Sequence, residues 1–214
     1  MNHLGVAVLI AVFAAAVPVN GQPRTGPAPS VEPTDIAPLT GHPALRASLA
    51  RLWHGSPSFR AALVATAQTG RQVVLLTPDQ VIVRDHAASL DSRPFDRDVL
   101  AEASPVLDGE GGVSSVLVVI NLPLIESLHE RRGSLPGEVQ VDLDRLVAHE
   151  VFGHALPYLM AGSLAGRCAD PVPGQRATDA CAIQRENIVR EELGLSRRTD
   201  GGLQSLMLAF PGRH

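Results

Sequence analysis

His149-Glu150-Val151-Phe152-Gly153-His154 sets two imidazoles and a carboxylate in an apolar segment, 141–162, whose periodicity predicts a helix. Once buried, such groups are costly unless a metal or hydrogen bonds compensate them. In a regular helix at about 100° per residue, a step of five leaves the two histidines about 140° apart, too far round the cylinder to share a metal. Pro157 supplies a reason for the helix to deform: it has no N–H, and its ring clashes with the carbonyl of Gly153. Gly153 makes the distortion cheaper. A single-turn π-bulge would absorb the extra residue and carry His154 back beneath His149.

A hydrolytic zinc site takes three protein ligands and leaves its fourth position to water. Residues 178–193, TDACAIQRENIVREEL, predict a second helix, with Asp179 near its start and Gly194 just past its last apolar residue. On a helical wheel Glu186 shares a face with Ala182, Ile183, Val189 and Leu193. Glu191 points to nearly the opposite side, and Glu192 lies off the apolar stripe. A buried carboxylate needs a partner or a metal, so Glu186 is the expected third ligand beside His149 and His154. Arg190 offers a competing account, since a Glu–Arg pair at i,i+4 satisfies both groups without metal. With Glu186 on the metal, Arg190 would orient it or anchor a substrate carboxylate or oxyanion.

The first segment resembles the H-E-x-x-H zinc-peptidase helix with one residue inserted, and its spacing is similar to the H-E-x-x-x-H helix of the dipeptidyl peptidase III family. A metal helix followed by a glutamate on a later helix resembles the gluzincin arrangement. Two further stretches are similar to small bacterial zincin-like peptidase domains of effector and toxin type. These are Ser56-Pro57-Ser58-Phe59-Arg60, opening a helix, and Glu186-Asn187-x-x-Arg190-x-x-Leu193-Gly194-Leu195-x-x-Arg198-Thr199. The resemblance implies zinc-dependent hydrolysis of peptide bonds in a peptide or protein substrate. His149, His154 and Glu186 would hold Zn²⁺, and Glu150 would take a proton from the attacking water and deliver it to the leaving amine. Tyr158, the single tyrosine, falls just after the motif, so a downstream tyrosine to polarise the carbonyl is absent. Tyr158, His54, His86 and His129 are candidate oxyanion or specificity groups, with a structural role the plainer reading of each. Two other classes compete: a secreted zincin-like binding or inhibitory domain without turnover, and a Glu150/His154 pair holding iron or manganese, which leaves His149 idle.

The front of the chain reads as processed. Residues 4–19 are apolar and uncharged, too short for a confident membrane span, and are followed by small or permissive residues at Val19-Asn20-Gly21. A cleaved secretory signal over 1–21 is expected, with an uncleaved anchor or cleavage nearer Ala16 as alternatives. Residues 22–43, rich in Pro, Thr and Gly, read as a disordered leader, tether or propeptide. A single folded domain over 44–214, secreted or periplasmic and without stable membrane insertion after cleavage, follows from this. In that setting Cys168 and Cys181, flanking the turn-rich Asp170-Pro171-Val172-Pro173-Gly174, are expected to form a disulfide on the order of 3 kcal/mol stabilising. Basic residues number 18, all arginine, against 22 acids, a net charge of −4. With no basic stripe and no interleaved aromatics, nucleic acid is excluded as a partner. Arg131-Arg132 and Arg197-Arg198 read as solvated surface.

The remaining elements predict an α+β, zincin-like domain: a small mixed or antiparallel sheet backed by helices, the metal helix beneath and the glutamate helix downstream. Helices are expected over 42–54 and 57–69, separated by Gly55 and ended by Gly70. Strands are expected at 73–76 and 81–83, joined as a hairpin by Thr77-Pro78-Asp79-Gln80, at 113–122, and as a short fourth at 139–141. Residues 84–112 read mostly as loop, with a short helix near 96–103. By fold analogy strand 113–122 is a candidate edge for an extended peptide, an ordinary core strand being the plainer reading.

Overall fold

Proline opens the helices of this chain, where a missing N–H costs nothing because the first turn has no partner for it. A computed structural model describes residues 40–78, 82–84, 92–96, 98–164 and 177–198. In it α1 (Pro43–Gly55), α2 (Pro57–Ala67), α3 (Leu122–Arg132) and α4 (Pro136–Val147) each carry a proline at the first or second position. N-cap side chains finish three of these starts: His42 Nδ1 accepts from Ala44 N at 3.3 Å, Ser56 Oγ from Phe59 N at 3.1 Å, and Asn121 Oδ1 from Leu124 N at 3.2 Å.

The fold is α+β. A three-stranded mixed sheet runs β1 (Gln72–Leu76), β5 (Val113–Ile120), β4 (Ala101–Leu107). β5 is its centre, parallel to β1 with Gln72 opposite Ser115, and antiparallel to β4 with Ala101 opposite Ile120. A separate two-stranded ribbon pairs β2 (Ile82–Arg84) with β3 (Ser92–Pro94). Leu45, Leu52, Phe59, Val116, Val151 and Leu159, from the helices and the central strand, share one buried core.

Helix α4 runs without a break into a π-helical segment, Ala148–Ala155, and then into α5 (Leu156–Ala161), which ends at the left-handed Gly162 (φ 65°). The sequence distortion at Pro157 is therefore realised as a whole π segment. Its last turn shows the wider bonding directly, with Leu156 N donating to Val151 O five residues back. Gly153 O, which Pro157 cannot satisfy, accepts from Arg185 Nη1 at 2.9 Å. Arg185 lies on α6 (Ala177–Glu192), which packs along the π segment. Contact is closest at Gly153, where a Cβ would stand 2.8 Å from Ala182 Cβ and 2.9 Å from Ala182 Cα. Asp144 ties α4 to α1, accepting from Ser48 Oγ at 2.6 Å and from Arg51 Nε at 2.8 Å.

Several local expectations are corrected. Residues 139–141 are helical, not a strand: Pro136 starts α4, Glu138 reaches back to Leu135 N at 3.1 Å, and burial of Leu143 and Leu146 overrides the β-branched pair. Among the described residues near 96–103 there is no helix, and β4 begins at Ala101; its Pro105 is tolerated since β4 is an edge strand. β1 pairs with β5 instead of forming a hairpin with the next strand, which pairs with β3. Strand β5 is flanked on both sides, so its backbone cannot receive an added peptide. The expected signal peptide at 1–21, residues 22–39 of the leader, Asp79-Gln80, His86 and Cys168 lie outside the described residues. Among the described residues no helix is long and apolar enough to cross a membrane.

Candidate functional site

The π segment turns His149 and His154 to the same side. Their rings meet edge to face with centroids 4.9 Å apart, and the two Nε2 atoms are 3.3 Å apart. Two nitrogens each bound at ~2.0–2.1 Å to a tetrahedral zinc would stand about 3.3–3.4 Å apart. The separation is one that two corners of such a tetrahedron would span, and one that a hydrogen bond between the two rings also satisfies. His149 is buried and His154 half-buried, and Glu150 is buried between them in sequence, with its charge acting on His149.

Glu186 comes to the site from α6, fully buried at 0 % exposure on the face that the helical wheel selected. Its Oε2 lies 3.0 Å from His149 Nδ1, and Oε1 accepts from Arg190 Nη1 at 2.6 Å. A third partner was not expected: Arg198 Nη1 donates to Glu186 Oε2 at 3.0 Å and stands 3.4 Å from His149 Nδ1. The tautomer follows from the partners. An ionised carboxylate only accepts and a guanidinium only donates, so the Glu186 contact requires a proton on Nδ1. In neutral His149 that leaves Nε2 as a bare lone pair facing His154. Glu186 sits on the Nδ1 side of the ring, whereas the nitrogens able to share a metal meet on the Nε2 side.

Charge on these groups is stabilised against the cost of burial. Desolvation works to raise the Glu186 pKa, but the His149 hydrogen bond and the charges of His149, Arg198 and Arg190 outweigh it and hold the carboxyl at about 2. Desolvation likewise disfavours the imidazolium of His149, and the Glu186 hydrogen bond with the Glu150 and Glu186 charges overcomes it, raising its pKa above the ordinary value. Removing one partner from such a buried ion cluster costs roughly 3–5 kcal/mol, because the other charges are left uncompensated.

Arg198 reads from the sequence as solvated surface, and the structure corrects this: it is 6 % exposed. The chain reverses after α6 at Gly194 (φ 70°), and Asn187 clamps the returning strand in both directions, donating to Arg198 O at 2.8 Å and accepting from Arg198 N at 2.6 Å. Arg190 Nε adds a bond to Ser196 O at 2.6 Å. The helix-stop glycine followed by arginine four residues later was the available signal. Arg197, its neighbour, is exposed and pairs with Glu191.

Other candidates fall elsewhere. Tyr158 is buried in the core on α5, and His54 is exposed in the last turn of α1. His129 is buried on α3, with Nε2 3.2 Å from Asp142 Oδ2, and Asp142 also accepts from Arg145 Nη1 at 3.1 Å. Glu192 is exposed, as expected, and also caps α2: it accepts from Ser56 Oγ, from Ser58 Oγ at 2.6 Å and from Ser58 N at 3.2 Å. An open hollow of about 500 Å³ lies along α1 and α2, lined by Trp53, Pro57, Arg60 and Val64, and no residue of the histidine site reaches it. Among the described residues no group of three His, Cys, Asp or Glu side chains is placed as a metal cage, and no cysteine is free. Comparison with family models, with curated proteins and with solved structures returns no match.

Proposed function

We propose that this chain is a zinc-dependent peptidase of zincin-like fold, exported through a cleaved signal peptide and acting on a peptide or protein substrate. The observation that carries the reading is the pair of facing imidazoles, with Nε2 atoms 3.3 Å apart on a π segment, a buried glutamate between them in sequence, and a carboxylate behind the first ring. These residues fit zinc in two respects. The separation matches two corners of a tetrahedron, and the carboxylate on Nδ1 is the usual partner of a metal-binding imidazole. His149 and His154 would hold the ion through Nε2, two of the three protein ligands that a hydrolytic zinc site takes. Zinc, when bound, would acidify a water and polarise the scissile carbonyl.

The remaining chemistry belongs to the chain. Glu150, buried on the same turn as His149, accepts the proton of the attacking water and passes it to the departing amine as the C–N bond breaks. A Cys168–Cys181 disulfide would fasten the end of the metal-helix region to the start of α6, and so to Glu186.

Digestion of a peptide library by the full exported chain, loaded with Zn²⁺, tests the reading against Glu150→Gln. Cleavage by the wild type, with at least a 10²-fold loss in the variant at unchanged zinc content, is expected for loss of a general base. Zinc retained with no cleavage of any peptide would leave a zincin-like binding or inhibitory domain instead. Equal cleavage by both proteins would remove Glu150 from the mechanism.

A further inference from the structure

Glu186 is already committed on both of its oxygens. Its carboxylate is fully buried and already accepts three contacts: Arg190 Nη1 on Oε1, and Arg198 Nη1 with His149 Nδ1 on Oε2. About four lone-pair positions exist on an ionised carboxylate, and these partners take three of them. To reach a metal between the two Nε2 atoms, Glu186 would have to leave two guanidinium partners and pass to the other side of the imidazole. The arginines are themselves anchored, Arg190 through Nε to Ser196 O at 2.6 Å and Arg198 through its backbone to Asn187. The two Asn187–Arg198 bonds are buried and the Arg190–Ser196 bond is part-buried, and all depend on the chain turning back at Gly194.

We infer that Glu186 is a positioning residue, clamped by Arg190 and Arg198, that fixes His149 as the Nδ1–H tautomer and aims its bare Nε2 at His154. Arg198 is the part of this device that closes it. Arg190 alone binds Oε1 and leaves Oε2 free to rotate from the ring, whereas Arg198 fastens Oε2, the oxygen that His149 uses. The inference deepens the zinc reading and rests on it for its purpose, but the tautomer is a property of the chain without metal. A ligand role for Glu186, which the helical wheel by itself suggests, is replaced by this one.

The test uses the full chain with ¹⁵N-labelled histidine, first metal-free and then titrated with Zn²⁺ alone against a chromophoric chelator. In the metal-free wild type, at a pH high enough for the ring to be neutral, long-range ¹H–¹⁵N spectra should show His149 protonated at Nδ1 and bare at Nε2. Glu186→Gln and Arg198→Met should shift His149 towards a mixture of tautomers and weaken zinc about 10–100-fold, the range for loss of a group that orients a metal ligand. Arg198→Lys should recover part of the wild-type tautomer. Zinc should move the Nε2 resonance of wild-type His149 while leaving its Nδ1 proton in place. An Nε2–H tautomer in the wild type, or zinc displacing the Nδ1 proton, would overturn the inference, and neither result depends on a variant folding. If the tautomer depends on Glu186 and Arg198 but the wild type binds no zinc, the peptidase reading fails and the positioning role stands.

Discussion

Gly153→Ala perturbs the site without touching any of its side chains. The new methyl would stand 2.8 Å from Ala182 Cβ, 2.9 Å from Ala182 Cα and 3.1 Å from Ala182 O, and most of these are backbone-linked atoms that cannot rotate away. Carbon atoms in ordinary contact are about 3.5–4.0 Å apart, so α6 must retreat from the π segment by roughly 0.7–1 Å. Overpacking of this kind costs about 1–3 kcal/mol. For a domain of this size each kcal/mol lowers Tm by roughly 2–4 °C, so a fall of about 2–12 °C is expected in thermal unfolding. The same retreat would stretch the 3.0 Å contact between His149 Nδ1 and Glu186 past about 3.5 Å, where it ceases to be a hydrogen bond, and zinc should bind about 10–100-fold more weakly. Gly137→Ala is the control, since nothing lies within 4 Å of its added Cβ on α4, and it should raise stability by about 0.4–1 kcal/mol. Unfolding and zinc binding of Gly153→Ala both indistinguishable from wild type would refute the close approach of the two helices.

Two further outcomes follow from contacts away from the histidines. Burial works against the charge of Glu192, but hydrogen bonds from Ser56 and Ser58 hold its carboxyl below the ordinary value. The bonded carboxylate therefore contributes stability above the ordinary glutamate range, near pH 4.5, and this contribution fades as pH falls through the lower folded value. Glu192→Gln should flatten that part of the acid-unfolding curve and leave zinc affinity unchanged; an unaltered curve would remove Glu192 as the cap of α2. On the proposed Cys168–Cys181 disulfide, exported, unreduced protein should show no alkylated thiol by intact mass, and two labelled cysteines would break that expectation.

What the sequence disclosed was local and what it concealed was long-range. Pro157 four residues after Gly153 predicts a distorted turn because the missing N–H acts on its own helix, and the π segment is that distortion. The buried face of α6 was legible for the same reason, since helical phase alone separates Glu186 from Glu191. Periodicity cannot tell which nitrogen of a distant histidine a buried carboxylate meets. The wheel placed Glu186 inward but could not set it on the Nδ1 side of His149. Arg198 was hidden because its burial depends on the reversal at Gly194 and on the Asn187 clamp, neither of which leaves an apolar signal. Pairing of β1 with β5 was hidden too, since a parallel pair with two other strands and β4 between them carries no turn signal. Val139 and Val141 read as a strand because β-branching favours one, and tertiary burial of the α4 face reversed the preference.

The central claim is that His149 and His154 share a zinc through Nε2. Metal analysis of the purified full chain after equilibration with Zn²⁺ and removal of excess tests it directly, beside His149→Ala and His154→Ala. About one Zn²⁺ per chain is expected in the wild type, as for a mononuclear site, with X-ray absorption placing two imidazole nitrogens at ~2.0–2.1 Å, and neither variant should retain the ion. Full zinc occupancy in His154→Ala, or none in the wild type, would contradict the account.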